Sequence, residues 1–333
     1  MKMLRKVVRR IRAILKAPVP VAVAPTLAPE PGPVVEPVPV AKPATPVRRD
    51  LSVGEYWTEH NVTLHHAFAS PKESLDYFWW RCDQYYPYIE LMPVAGQDGK
   101  VVLDFGCGPG HDLVGFGTYS KPAKLYGYEL SPSSLDEARS RLALHGIDAE
   151  LIQGQADEPV LPLAAASVDF IHSSGVLHHV PDIDSCLREL HRLLKPDGSM
   201  QVMVYNQDSL WYHLYVAYQW RLQWGRDTDV SLRQAFARST DGEECPIANV
   251  YRPQEFIDIC RRNGFSATYR GAAISMHEAN LAPLRFSAIQ NRQLPEENRK
   301  FLLSLTFDER GYPLHNGHYA GIDACFELKK ANQ

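Results

Sequence analysis

The chain has 333 residues, 45% hydrophobic and 22% charged, enough to bury a substantial core in one large domain or two small ones. Its six cysteines are scattered, with no C-x-x-C pair and no Cys/His metal spacing, which argues against a disulfide framework or a zinc motif and for free thiols. No apolar run of about 18 residues exists to cross a membrane. Beyond residue 16, 28 Lys and Arg face 39 Asp and Glu, an acidic balance that speaks against a nucleic-acid partner.

Residues 1–16, MKMLRKVVRRIRAILK, carry seven bases and no acid. Leu4, Val7, Val8, Ile11, Ile14 and Leu15 share one helical stripe opposite those bases, so a basic amphipathic helix suited to an anionic membrane surface is expected. A partner-binding helix or an organellar transit peptide, here without serine, are the alternatives. Residues 17–50 contain ten prolines and read as a disordered linker. In polyproline II, at about 3.1 Å per residue, residues 18–46, which hold all ten prolines, would reach roughly 90 Å.

Residues 51–98 read as an N-terminal helical cap. Ser70-Pro71-Lys72-Glu73 offers an N-cap, a proline at the first helical position and an acid at the third, opening the helix PKESLDYFWWRCDQYY, which stops before Pro87. From 99 to 205, apolar strands at 101–105, 124–129, 149–153, 168–174 and 199–205 alternate with helices beginning near Gly110, at Ser131-Pro132 and near Asp182. Such alternation predicts parallel β-α-β units with right-handed crossovers, a Rossmann-like α/β sheet with helices on both faces. Residues 206–252 read as a substrate-cap insertion. Residues 253–333 complete the core with strands FSATYRGA and HYAGIDACFEL, separated by an inserted cap at 273–317.

The stretch VVLDFGCGPGHD (101–112) places Gly106, Gly108 and Gly110 where the first core strand should turn into a helix. The spacing G-x-G-x-G departs from the dinucleotide pattern G-x-G-x-x-G, and no G-K-[ST] follows for a phosphate loop. LDFGCGPG resembles the first motif of class I S-adenosylmethionine-dependent methyltransferases, and the resemblance continues through LYGYELSPSSLDEAR, LIQGQADEPVLPLAAASVDFIHSSGVLHHV and LRELHRLLKPDGSMQVMVYN. It implies a seven-stranded sheet whose last strand is antiparallel, with S-adenosylmethionine as cofactor.

The resemblance also implies site residues. Asp104, Gly106, Cys107, Gly108 and Gly110 form the loop against which the methionine portion lies. Glu129, ending the second core strand, is expected to accept the ribose hydroxyls, since a carboxylate offers two acceptor oxygens side by side, and Leu130 to pack on adenine. Gly154-Gln155-Ala156-Asp157 stands where the family commonly has an acid near the adenine amino group, so Gln155 or Asp157 takes that role, beside Ala156. Ser173 and Ser174 end the strand beneath the sulfonium. The [ND]-P-P-[YF] motif of nucleobase and glutamine N-methyltransferases is missing after them, which tilts the acceptor toward oxygen, carbon or an ordinary amine. His178 and His179 follow, and His179 is either a general base or a loop-bracing histidine. Arg81 either clamps the cofactor carboxylate or lies on the surface.

Trp211, Tyr215, Tyr218 and Leu222 share one face of SLWYHLYVAYQWRLQW, read as core packing before a lid. Asp241, His213 and Tyr251 are candidate acceptor contacts around STDGEECPIANVYRP. That segment and YWTEHNV are similar, more loosely, to bacterial methyltransferases encoded with surface-polysaccharide genes. The expected function is therefore O-methylation of a glycan, lipid-linked or not, or of another small hydroxylated acceptor, in the cytoplasm or at the cytoplasmic membrane face. A quinone-like or natural-product acceptor is the second reading, and a cofactor-binding scaffold the non-enzymatic one.

Overall fold

The computed structural model describes residues 50–63, 65–155 and 160–331, so the basic segment and all but the last residue of the linker lie outside the described residues. Helix α1 (Val53–Glu59) opens with a capping box between Ser52 and Glu55. In α2 (Pro71–Asp83) the Ser70 side chain accepts from the Glu73 N–H, as the sequence motif predicts. The helix ends four residues before Pro87, because Tyr85–Tyr86 leave it to form β1. Helix α3 (Tyr88–Leu91) follows.

The core strands are β2 (Val101–Phe105), β3 (Lys124–Glu129), β4 (Glu150–Gln153), β5 (Val168–Ser174) and β6 (Leu194–Tyr205). Between them lie α4 (His111–Tyr119), α5 (Pro132–His145) and α6 (Ile183–Leu193). Beyond β6 come a π-type helix (Trp211–Gln223), α7 (Leu232–Asp241), α8 (Pro253–Arg262) and β7 (Phe265–Ser275). Helices α9 (Met276–Leu281), α10 (Arg285–Gln290) and α11 (Glu296–Ser304) precede a small antiparallel sheet of β8 (Thr306–Phe307), β9 (Pro313–His315) and β10 (His318–Tyr319), and β11 (Asp323–Lys330) returns to the main sheet.

The main sheet runs β1-β7-β11-β6-β5-β2-β3-β4. Strands β2 to β6 pair in parallel, and β11 lies antiparallel between β6 and β7. This is the expected Rossmann-like architecture with its antiparallel last strand. It has eight strands where seven are predicted, because β1 adds to the edge through Tyr85↔Ser275 and Tyr86↔Ile274. HYAGIDACFEL also divides, its first two residues joining the small sheet and Asp323 onward the large one.

Both faces of the central strands are buried, so β2 reads as a continuous apolar run interrupted by Asp104. Helices α6 and α8 cover one face with Leu187, Leu190 and Phe256, and α2, α4 and α5 cover the other with Phe78, Phe116 and Leu142. A third apolar cluster joins the π-type helix to Phe236 of α7 and to Leu281, Phe301 and Leu302 of α9 and α11. The segments 206–252 and 273–317, which look like separate caps in sequence, thus pack against one core. Tyr215 and Tyr218 are buried there, with Trp211 and Leu222 packed alongside, as the core reading of that face expects. Truncating a fully buried ring such as Phe236 would cost about 3–5 kcal/mol.

Candidate active site

Strand β2 ends in a loop that only glycine can build. Gly106 has φ +78°, and a Cβ there would stand 2.2 Å from Val176 Cγ2. The Gly106 and Cys107 N–H groups donate to the Tyr128 carbonyl at 2.7 and 2.9 Å, holding the loop against the end of β3. At Gly108 (φ +49°) the space a side chain would take is open. Its N–H donates to Glu129 Oε2 at 3.0 Å, while the Leu130 and Ser131 N–H groups donate to Oε1 at 2.8 and 2.9 Å.

A cleft of about 1090 Å³, open mouth included, lies along this loop beyond the carboxyl ends of the strands. It brings together Arg81, Gly106, Cys107, Gly108, Glu129, Leu130, Gln155, Ser174 and His179 of the expected residues. Val53, Trp57, Asn61 and Val62 close it from α1 and the turn after it. Ser174 Oγ is 2.6 Å from the Tyr88 hydroxyl. Ser173 is fully buried with its hydroxyl unpartnered, and Asp104 lies under the loop; neither lines the cleft. Gly110 turns toward α5, where a Cβ would stand 3.0 Å from Cβ of Ala138. Ala156 and Asp157 lie outside the described residues.

Beneath the loop is a buried polar floor. His172 Nε2 lies 3.3 Å from Asp112 Oδ2. Burial opposes charge on Asp112, but His172 outweighs it and holds the carboxyl well below its ordinary range. Burial raises Asp104 despite His172 nearby. Asp104 Oδ2 and Asp112 Oδ1 have no hydrogen-bond partner. The Arg81 guanidinium keeps its charge, its burial offset by Asp112.

These groups fit an α-amino acid nucleoside such as S-adenosylmethionine. The unpartnered Asp112 oxygen suits an ammonium, the Arg81 guanidinium suits a carboxylate, Glu129 suits hydroxyl donors, and Leu130 and Val176 supply apolar surface for a base.

His179, which also lines the cleft, is 4% exposed. Its Nδ1 lies 2.5 Å from the Ile247 carbonyl, which can only accept, so the proton sits on Nδ1 and Nε2 presents its lone pair. Burial lowers the His179 pKa although Asp241 opposes the shift, and the neutral ring is favoured. Nε2 faces Asp241 Oδ1 at 4.0 Å, and the Tyr205 hydroxyl donates to that carboxylate at 3.0 and 3.2 Å. Tyr56 of α1 donates to the Asp241 backbone carbonyl, and the Trp57 ring stands edge-on to His179 at 4.9 Å.

His179, Asp241 and Cys245 bring ligand atoms within 4.8 Å of one another, a cluster their sequence spacing does not reveal. The Ile247 carbonyl receives both Nδ1–H and the Cys245 thiol (3.3 Å), and burial pushes that thiol up to about 12. The two ring nitrogens therefore face different partners, Ile247 and Asp241.

The remaining expected residues lie apart from the cleft. His178 is buried and stacked on Tyr205 at 3.8 Å, its Nδ1 accepting from the Tyr205 N–H. His213 stacks on Phe301 at 3.9 Å and meets Asn298 at 2.9 Å inside the third apolar cluster. Tyr251 packs beside Phe256 in the core under α8. Trp57, Tyr205 and the Asp112–His172 pair escape the sequence reading. The pair leaves a signal, two ionisable residues at positions that the strand and helix patterns predict as buried.

The family model described as a methyltransferase domain matches residues 103–202. That match spans 100 of the 333 residues and includes the glycine loop, Glu129 and His179. The chain is 33% identical over 130 residues to an uncharacterised 37.1 kDa protein of transposon TN4556 from Streptomyces fradiae, covering 38% of this chain and 36% of that protein. It is 28% identical to the ubiquinone biosynthesis O-methyltransferase of Pseudomonas paraeruginosa, covering 43% of this chain and 64% of the relative. To the 27-O-demethylrifamycin SV methyltransferase of Amycolatopsis mediterranei it is 26% identical, over 44% of this chain and 47% of the relative. The chain thus spans less than two thirds of the length of each of these relatives.

Proposed function

We propose that this chain methylates a hydroxyl of a small acceptor with S-adenosylmethionine as donor. The observation that carries this reading is a lone-pair nitrogen, His179 Nε2, on a residue that lines the same cleft as the glycine loop and Glu129. Bound in the cleft, the cofactor supplies an already activated methyl group, so the protein's tasks are positioning, water exclusion and removal of one proton. Gly108 and Glu129 hold the nucleoside side, Arg81 and Asp112 receive the amino-acid end, and α1 covers the site with Trp57. His179 takes the acceptor proton.

A glycan or lipid-linked glycan is the leading acceptor, because the basic N-terminal stripe and proline-rich linker suit an enzyme held on an anionic membrane face. The second reading, a quinone-like or natural-product acceptor, is favoured by the O-methyltransferase of ubiquinone biosynthesis and the rifamycin methyltransferase among the relatives. Calorimetric titration with S-adenosylmethionine tests the donor half. Untargeted mass spectrometry of glycans and metabolites from a deletion strain tests the acceptor half, through loss of one methylene increment. Cofactor binding with no transfer to any acceptor class would favour a scaffold instead. Removal of residues 1–48 should abolish salt-sensitive binding to anionic vesicles, and binding that persists would refute the anchor.

A further inference from the structure

We infer that the acceptor presents a vicinal diol, two hydroxyls on adjacent carbons, one bound by His179 and the other by Asp241. This rests on the methyl-transfer reading above.

The argument starts from a mismatch between two groups that both accept. With its proton committed to the Ile247 carbonyl, neutral His179 has only a lone pair at Nε2. Facing it at 4.0 Å is an oxygen of Asp241, which also only accepts when ionised. The separation is too long for a hydrogen bond and too short for either group to be solvated independently. No hydrogen bond reaches Nε2 among the described residues, and both side chains are largely buried, 5% and 11% exposed. Whatever fills this gap must supply two donor hydrogens in different directions. A single hydroxyl has one and would leave the other acceptor unmet, at the cost of its desolvation.

A water has two such hydrogens, and an acceptor that displaces it must replace both, which a primary amine or a vicinal diol does. Asp241 decides between them. A carboxylate beside an amine holds it as the ammonium, which has no lone pair for the methyl group, whereas a diol has no charge to be trapped. Tyr205 spends its hydroxyl on Asp241 and Tyr56 binds the same residue's backbone carbonyl, so the carboxylate is fixed in place before any ligand arrives. Trp57, edge-on to His179 and lining the cleft, offers an apolar wall for ring carbons of either a catechol or a sugar.

In the step itself, the hydroxyl nearer Nε2 loses its proton to that nitrogen as its oxygen bonds the methyl carbon. The carbon–sulfur bond breaks with its electron pair on sulfur, giving S-adenosylhomocysteine, and the imidazolium returns the proton to solvent. The neighbouring hydroxyl stays protonated on Asp241, so the product is a monomethyl ether.

The test uses the full chain with S-adenosylmethionine and paired probes. 3,4-Dihydroxybenzoate is compared with 3-hydroxybenzoate, and methyl rhamnoside with its 3-deoxy analogue, which separates an aromatic source of the diol from a sugar source. In at least one pair, deleting the second hydroxyl should lower kcat/KM at least tenfold. In Asp241→Ala that ratio should shrink below about threefold, since a charge-assisted hydrogen bond is what the second hydroxyl loses. The wild-type comparison stands even if the variant does not fold. Equal rates for diol and monohydroxy probes would overturn the diol while leaving O-methylation intact, and preferred transfer to 3-aminobenzoate or benzylamine would overturn it in favour of an amine. Absence of transfer to every probe, with the cofactor bound, would overturn the methyl-transfer reading and this inference with it.

Discussion

Glu129→Ala is the sharpest test of the donor site. The carboxylate already takes three backbone N–H groups, from Gly108, Leu130 and Ser131, at 3.0, 2.8 and 2.9 Å. A carboxylate has about four lone-pair sites, so roughly one remains for a ribose hydroxyl unless Gly108 shifts. The substitution therefore removes ligand contacts and also the clasp that holds the glycine loop to the start of α5. Hydrogen bonds to a charged group contribute about 1.5–3 kcal/mol each, so losing even one lowers cofactor affinity at least about tenfold. The freed N–H groups are only part-buried and water can reach them, which limits the stability loss to about 1–3 kcal/mol, or several degrees in Tm. Burial also raises the Glu129 pKa, so wild-type affinity should weaken on acidification at a higher pH than an exposed glutamate would dictate, and the variant should lose that dependence. Calorimetric titration with S-adenosylhomocysteine, with differential scanning fluorimetry in parallel, reads both quantities. A folded variant whose affinity stays within twofold of wild type would show that another group holds the ribose.

Three further perturbations address other parts of the molecule. Gly108→Val puts its side chain into the open space beside the loop at φ +49°, so it should abolish cofactor binding at a strain cost of about 1–2 kcal/mol; unchanged affinity would remove the assignment of the loop. His179→Ala should lower kcat by about 10²–10⁴ with cofactor affinity nearly unchanged, and the wild-type rate should fall on acidification only below the ordinary imidazole range, because burial lowers that pKa. Weakened cofactor binding with a retained pH profile would instead mark a loop-bracing residue. Asp323, buried at the start of β11, is pushed up to about 8 by burial, so the folded state holds its proton more tightly than the unfolded chain. Its contribution to stability is complete below about pH 4 and is lost as pH rises through about 8, so Asp323→Asn should flatten the decline of wild-type Tm over that window. Parallel pH profiles for the two proteins would refute this.

Local chemistry was enough for the core sheet. The alternation of apolar strands with capped helices determined the parallel sheet, because each Ser-Pro start and each buried strand is a short-range preference. The glycine loop and Glu129 could be placed for the same reason, since they lie at the ends of consecutive strands and the sheet necessarily brings those ends side by side. What the tertiary structure decided is the cluster around His179. His179, Tyr205, Asp241 and Ile247 come from β6, from α7 and from loops far apart in sequence, and no periodicity records that they meet. His213 and Tyr251 look equally polar and equally close in sequence, yet lie against apolar clusters, because the π-type helix turns His213 inward and the bridge of Tyr251 to Asn206 pins its ring beside Phe256. The tautomer of His179 is the furthest of all from sequence. It depends on which carbonyl lies within 2.5 Å of one ring nitrogen, and that distance exists only once the loop after α7 has folded against the end of the sheet.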